Sequence, residues 1–220
     1  MTADLPDIYQ RLLDRYGPQH WWPAETPLEM IIGAILTQSA AWVNVEKGIA
    51  NLRSSGLLSS VMLRQVATEE LARLIRPSGY YNVKARKLKA FARWLGDGYG
   101  DDLDGLFALD LPTLRRELLS VYGVGEETAD SIALYAAHKP VFVIDAYTRR
   151  IVTRLGLAPV RDSYEAFQSL FMDHLPHEEA MFNEYHALLV CHGKAVCRKA
   201  PVCGECCLAS ICAFPGLQNR

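Results

Sequence analysis

The chain has 220 residues and is 50% hydrophobic, enough to bury a sizeable core and too apolar for a disordered protein. Its formal net charge of −2 excludes binding to nucleic acid through overall basicity, so any such reading rests on local positive charge. No apolar run approaches the ~20 residues that span a membrane, and Met1-Thr2-Ala3-Asp4 lacks the basic and apolar parts of a signal peptide.

From these features a reducing, cytoplasmic compartment is expected. There, crowded cysteines bind metal more often than they form disulfides.

Leu5 to Tyr16 reads as an amphipathic helix with Ile8, Leu12 and Leu13 on one face, stopped by Gly17-Pro18. A loop with Trp21 and Trp22 follows. Thr26 and Glu29 then form a T-x-x-E capping box for a helix from Pro27 to about Thr37. That helix is apolar on most sides and is expected to be buried. It closes in Leu36-Thr37-Gln38-Ser39, which reads either as an exposed turn or as a polar probe at the surface.

Further helices are expected over Ala41–Leu52, Ser59–Gln65 and Thr68–Ile75. Pro77 and Gly79 make a turn, and a basic helix follows. From Arg76 to Arg93 there are six Lys or Arg and no acid. Aromatic residues at a loop tip beside such a helix suit a wedge into a base stack with phosphates held nearby. The plainer alternative is a solvated face with Tyr80 and Tyr81 packed on the core. Gly96 to Leu109 is rich in turn formers, with four glycines and four aspartates.

A helix starting at Leu111 runs into Gly123-Val124-Gly125, and a second starts at once with Glu126 and Glu127 in its first turn. Two glycines around one apolar residue allow a tight hairpin, whose backbone N–H groups suit a phosphate. Pro140 and the apolar run Val141–Ile144 then deliver a carboxylate, Asp145, at the start of the next helix. Arg149, Arg150 and Arg154 add a second positive patch. Helices over Ser163–His174 and Glu178–Cys191 complete an all-α chain, with no stretch reading clearly as a strand.

All six cysteines follow residue 190. Cys197, Cys203, Cys206 and Cys212 are spaced C-x5-C-x2-C-x5-C, a set of four thiolates suited to a [4Fe–4S] cluster or a zinc ion. Cys207 is an adjacent competitor, and Cys191 reads as a small apolar residue within a helix.

The hairpin G-V-G-x-x-T-A, the aspartate that follows it, the L-x-x-Q element, the G-x-Y-N-x-K-A segment and the four-cysteine tail together resemble the endonuclease III superfamily of helix-hairpin-helix DNA glycosylases. The likeness covers nearly the whole chain. It implies two helical domains: residues 27–138 as a barrel-type domain with the hairpin, and residues 1–26 with 139–220 as a domain carrying a C-terminal [4Fe–4S] loop. The family spaces its ligands C-x6-C-x2-C-x5-C, one residue longer in the first gap.

The resemblance implies a monomeric base-excision enzyme acting on double-stranded DNA that contains a damaged base. Asp145 takes the position of the catalytic carboxylate, Gln38 that of the glutamine at the flipped base, and Tyr80 that of the intercalating loop. Lys84, Arg149 and the hairpin residues Gly123, Val124 and Gly125 are the further expected DNA contacts.

At Glu127 the bifunctional members carry a lysine that attacks the sugar C1′. A carboxylate cannot form that Schiff base, so hydrolysis by water without strand cleavage is expected. Glu127 itself is either a second residue of the catalytic site or a charge favoured at a helix N-terminus. The segments G-x-E-T-A-D-S-I and V-I-D-A-Y-T-R-R resemble a branch that includes a 3-methyladenine DNA glycosylase, which points to an alkylated purine. That enzyme lacks the iron–sulfur ligands present here. Excision of oxidised or mismatched bases, and a non-catalytic DNA-binding role, are the competing readings. Trp21, Trp22, Trp42 and Tyr147 are candidate pocket aromatics.

Overall fold

A computed structural model describes residues 4–214, and among them every regular element is helical. The chain forms two compact units, Met1–Trp21 with Pro140–Arg220, and Trp22–Lys139.

The unit Trp22–Lys139 is built around α2 (Pro27–Thr37), which is buried from Glu29 to Leu36. Thr26 Oγ1 accepts from Glu29 N at 3.2 Å, the first half of the expected capping box. The carboxylate of Glu29, however, faces Arg53 Nη2 at 2.7 Å. A buried carboxylate needs a charged partner more than a second capping contact.

Against α2 pack α3 (Trp42–Ser54) and the long α6 (Tyr81–Tyr99), and α4 (Ser60–Gln65) and α5 (Thr68–Leu74) pack on α6. The expected turns at Gly96 and Gly98 are instead the last turns of α6, which stops at Gly100 with φ +60°. Gly96 is needed because a Cβ there would lie 2.2 Å from Arg64 Nη1. Arg64 crosses α6 at that point to pair with Asp101 at 2.5 Å. After the short α7 (Leu103–Phe107) come α8 (Leu111–Leu119) and α9 (Glu126–Tyr135), the two arms of the hairpin.

The unit Met1–Trp21 with Pro140–Arg220 contains α1 (Leu5–Tyr16), α10 (Ala146–Arg154), α11 (Tyr164–Met172) and α12 (Glu179–Ala195). Its core is aromatic. Phe142 stacks on Phe171 at 3.8 Å and meets Phe182 and Tyr185 edge-on. The run Val141–Ile144 is extended and fully buried.

With no strand beside it, this run relies on side chains for its backbone bonds. Gln168 Nε2 donates to Phe142 O at 2.7 Å, and Ile144 N donates to the Tyr164 hydroxyl at 3.2 Å. Asp145 is therefore delivered by a segment that core packing fixes in place.

Candidate functional site

In the hairpin, Gly123 has φ +84° and lies beneath the stem of Lys87, whose Cγ would be 2.4 Å from a Cβ at that position. Gly125 is different. It is extended, with no atom within 4 Å of the place a Cβ would take. Its lack of a side chain leaves the start of α9 open, where the first N–H groups have no partner within the helix. Val124 is buried, and its N–H bonds Val121 O at 3.0 Å. Arg115 of α8 holds α9 through Asp130, Nε to Oδ1 at 2.8 Å, and so locks the angle of the hairpin. Glu127 is exposed in the first turn of α9.

Gln38 is drawn onto this hairpin. Its Nε2 donates to Gly123 O at 3.0 Å and to Thr128 Oγ1 at 2.9 Å, while its Oε1 accepts from Lys87 Nζ at 2.5 Å. Tyr80 is 72% exposed and adopts a left-handed backbone, φ 45°, that a tyrosine rarely takes. Tyr81 is half-buried, with the Arg76 guanidinium over its ring.

The basic helix carries less free charge than its sequence implies. Lys84 is buried and donates from Nζ to Leu36 O at 2.8 Å and Ser78 O at 2.6 Å. Burial, with Lys87 nearby, lowers its ammonium to about 8. It therefore stays inside, tying the end of α2 to the loop before Tyr80, and is not placed to meet DNA. Lys89 is likewise buried and caps the carbonyls of Leu63, Arg64 and Val66. Arg76, Arg86 and Arg93 remain exposed.

In the other unit, Asp145 is the N-cap of α10. Its Oδ1 accepts from Thr148 N at 2.7 Å, and its Oδ2 lies 3.9 Å from His186 Nε2 on α12. Burial lowers the pKa of His186, a trend that Asp145 opposes and Lys194 reinforces. Trp21 packs edge-on against His186 and carries the Lys194 ammonium over its ring. Nothing in the sequence marked His186, a histidine on a largely buried helix.

Arg149 pairs with Asp162 at 2.8 Å and lies over the Phe167 ring. Arg150 and Arg154, expected as free charge, brace the cysteine tail. Arg150 bonds the carbonyls of Cys197 and Gly193, and Arg154 those of Arg198 and Lys199. With Phe167 and Phe214 these three arginines line an open cavity of about 710 Å³.

The other candidate aromatics are packed. Tyr147 lies against Gly193. Trp22 covers Gly33 and contacts Trp42 and Tyr135.

In the tail, Cys203–Glu205 and Ala209–Ile211 are single 3-10 turns. Burial pushes the Cys206 thiol up to about 11, and the Cys207, Cys197 and Cys212 sulfurs add to the rise. Burial likewise raises Cys212, with contributions from Cys197 and Cys203. Arg154 Nη1 lies 3.3 Å from Cys197 Sγ, and His192 Nε2 lies 3.5 Å from Cys206 Sγ. Burial raises Cys207 too, and Arg15 and Arg11 of α1 oppose that rise. Among the described residues, no group of three or more His, Cys, Asp or Glu is arranged to hold a metal ion. Four cysteines close in sequence are nevertheless a suitable donor set, because a bound cation favours their thiolates.

A helical hairpin open at its N–H groups, together with a capping carboxylate on a buried strap, defines a helix-hairpin-helix protein of the DNA-repair kind. The chain belongs to the HhH-GPD superfamily of base excision DNA repair proteins, whose family model matches residues 32–177.

The "Putative DNA repair glycosylase MJ1434" of Methanocaldococcus jannaschii is 45% identical over 207 residues, covering 93% of this chain and 94% of that protein. A solved endonuclease III, trapped as a covalent intermediate with DNA, superposes with TM-score 0.84 at 24% identity, covering 99% of this chain and 100% of that one. The 3-methyladenine DNA glycosylase MagIII of H. pylori, bound to 1,N6-ethenoadenine, gives TM-score 0.77 at 25% identity over 87% of this chain and 98% of that one.

Proposed function

We propose that the protein is a monofunctional DNA glycosylase that hydrolyses the N-glycosidic bond of a flipped, damaged base, with an alkylated purine as the favoured substrate. The observation that carries this reading is the pairing, within one chain, of Asp145 on its braced strap with Glu127 in place of a lysine. Asp145 commits one oxygen to α10, and the other, 3.9 Å from His186 Nε2, takes no part in the cap. A carboxylate facing the sugar stabilises oxocarbenium character and orients water.

In the reaction the C1′–N bond breaks and its electron pair leaves with the base. The water oxygen bonds to C1′, and the water proton passes to Asp145 and on to solvent. A cationic alkylated purine departs neutral, so the site needs no strong acid to protonate the leaving group. The likeness to MagIII supports this choice of substrate.

DNA is held by the hairpin Gly123, Val124 and Gly125 and by Arg149, with Tyr80 as the wedge and Gln38 as the probe of the opened duplex. Glu127 acts as a favourable charge at the start of α9.

Cys197, Cys203, Cys206 and Cys212 would hold a [4Fe–4S] cluster, which would supply the stability that a short polar tail lacks. No described helix is long and apolar enough to cross a membrane, and we assign the enzyme to the cytoplasm as a monomer.

A panel of duplexes, each with one lesion, tests the reading. Release of alkylated purines supports it, and release of oxidised pyrimidines alone would replace the substrate assignment.

A further inference from the structure

We propose that Lys87 is a positioning residue that latches Gln38 onto the hairpin in the free protein and transfers it to the duplex when a DNA phosphate arrives. The proposal rests on the reading of Gln38 as the probe.

The side-chain amide of Gln38 is held on both sides. Nε2 gives its two protons to Gly123 O and Thr128 Oγ1, and Oε1 accepts from Lys87 Nζ. In this state the side chain lies along the hairpin and does not extend from the end of α2. Reaching into a base stack means breaking all three bonds.

Lys87 is suited to control that step. Its stem lies directly on Gly123, the residue whose positive φ makes the hairpin. Its ammonium therefore sits beside the surface that is to receive a phosphate. It is half-buried, unlike Lys84 one turn earlier on α6, which is enclosed. An ammonium has three protons and Gln38 takes one. A phosphate oxygen is an ionised acceptor and binds an ammonium more strongly than a neutral amide oxygen does.

A phosphate arriving at the hairpin thus competes for Lys87 and loosens Gln38 at the moment the backbone is gripped. Phosphate capture and probe release become one event. The residue directly after Gln38, Ser39, is held at φ +54°, an uncommon conformation for serine.

The test uses a duplex with a tetrahydrofuran abasic analogue flanked by 2-aminopurine, so that no lesion need be known. Opening is followed by stopped-flow fluorescence at saturating protein, and the salt dependence of affinity is measured on the same duplex. Lys87→Met keeps the stem over Gly123 and removes the ammonium. It should open the duplex about fivefold faster, the effect of one net hydrogen bond, and lower the salt slope by about 0.9 for one lost phosphate contact.

Thr128→Val loosens the latch without changing charge. It should speed opening and leave the salt slope unchanged. Lys87→Met opening at the wild-type rate would overturn the latch, and so would an unchanged salt slope. Gln38→Ala should lose most of the fluorescence amplitude. Full amplitude in Gln38→Ala would instead remove the probe reading beneath the proposal.

Discussion

Asp145 and His186 face each other across the helices of one unit, with Oδ2 3.9 Å from Nε2, while the other carboxylate oxygen caps α10 through Thr148 N at 2.7 Å. The two roles proposed for Asp145, cap and catalytic carboxylate, therefore fall to different oxygens. One fixes the side chain, and the other faces a histidine whose pKa burial lowers.

Asp145→Asn separates these roles. Asparagine caps a helix as well as aspartate does, so thermal stability should change little, and affinity for undamaged duplex should persist. Base release under single-turnover conditions should fall by about 100-fold or more, the usual range for losing a group that acts in the transition state. A variant that melts early would show that capping, and not catalysis, was lost.

Lys84→Met should destabilise the protein by about 2 kcal/mol, because it leaves the buried carbonyls of Leu36 and Ser78 without their donor. The salt dependence of DNA binding should stay at the wild-type value. The wild type also carries a pH signature here. The Lys84 ammonium titrates at about 8 in the fold and near 10.5 when unfolded. The unfolded chain binds the extra proton between these values, so stability rises with pH across that window and is lost as pH falls through 8. Denaturant unfolding between pH 7.5 and 10 should show this slope in the wild type and a smaller one in Lys84→Met.

The outline of the fold was legible in the sequence because its signals are local. The span Leu5–Tyr16 is bounded by a glycine and Pro27–Thr37 by its cap, and both helices form as expected. Asp145 was legible as the N-cap after a buried apolar run. What was not legible is where long cationic side chains point. Lys84, Lys89, Arg150 and Arg154 read as surface charge, yet each reaches back to backbone carbonyls. A flexible stem lets such a head group serve a distant loop, and no periodicity records that choice. Gly96 misled for a related reason. Its small size admits Arg64 across the helix, so a residue that reads as a turn sits inside α6.

The cysteine assignment separates at adjacent positions. Cys206 is influenced by Cys197 and Cys212 as well as by its neighbour Cys207, whereas Cys207 lies near Arg15 and Arg11. Cys206→Ser should lose most of the bound iron and sulfide and the visible absorbance of the purified protein. Cys207→Ser should retain them. Equal iron loss in both variants would show that the adjacent cysteine can take the site.

Hydrolysis without strand cleavage is the central claim, and product analysis in a single turnover tests it most directly. An end-labelled duplex carrying an alkylated purine is sampled with and without alkali, while the free base is counted in parallel. The account predicts that free base appears while the strand stays intact until alkali is added, and that borohydride traps no adduct. Strand breaks appearing without alkali at the rate of base release, with a borohydride-trapped adduct, would contradict it.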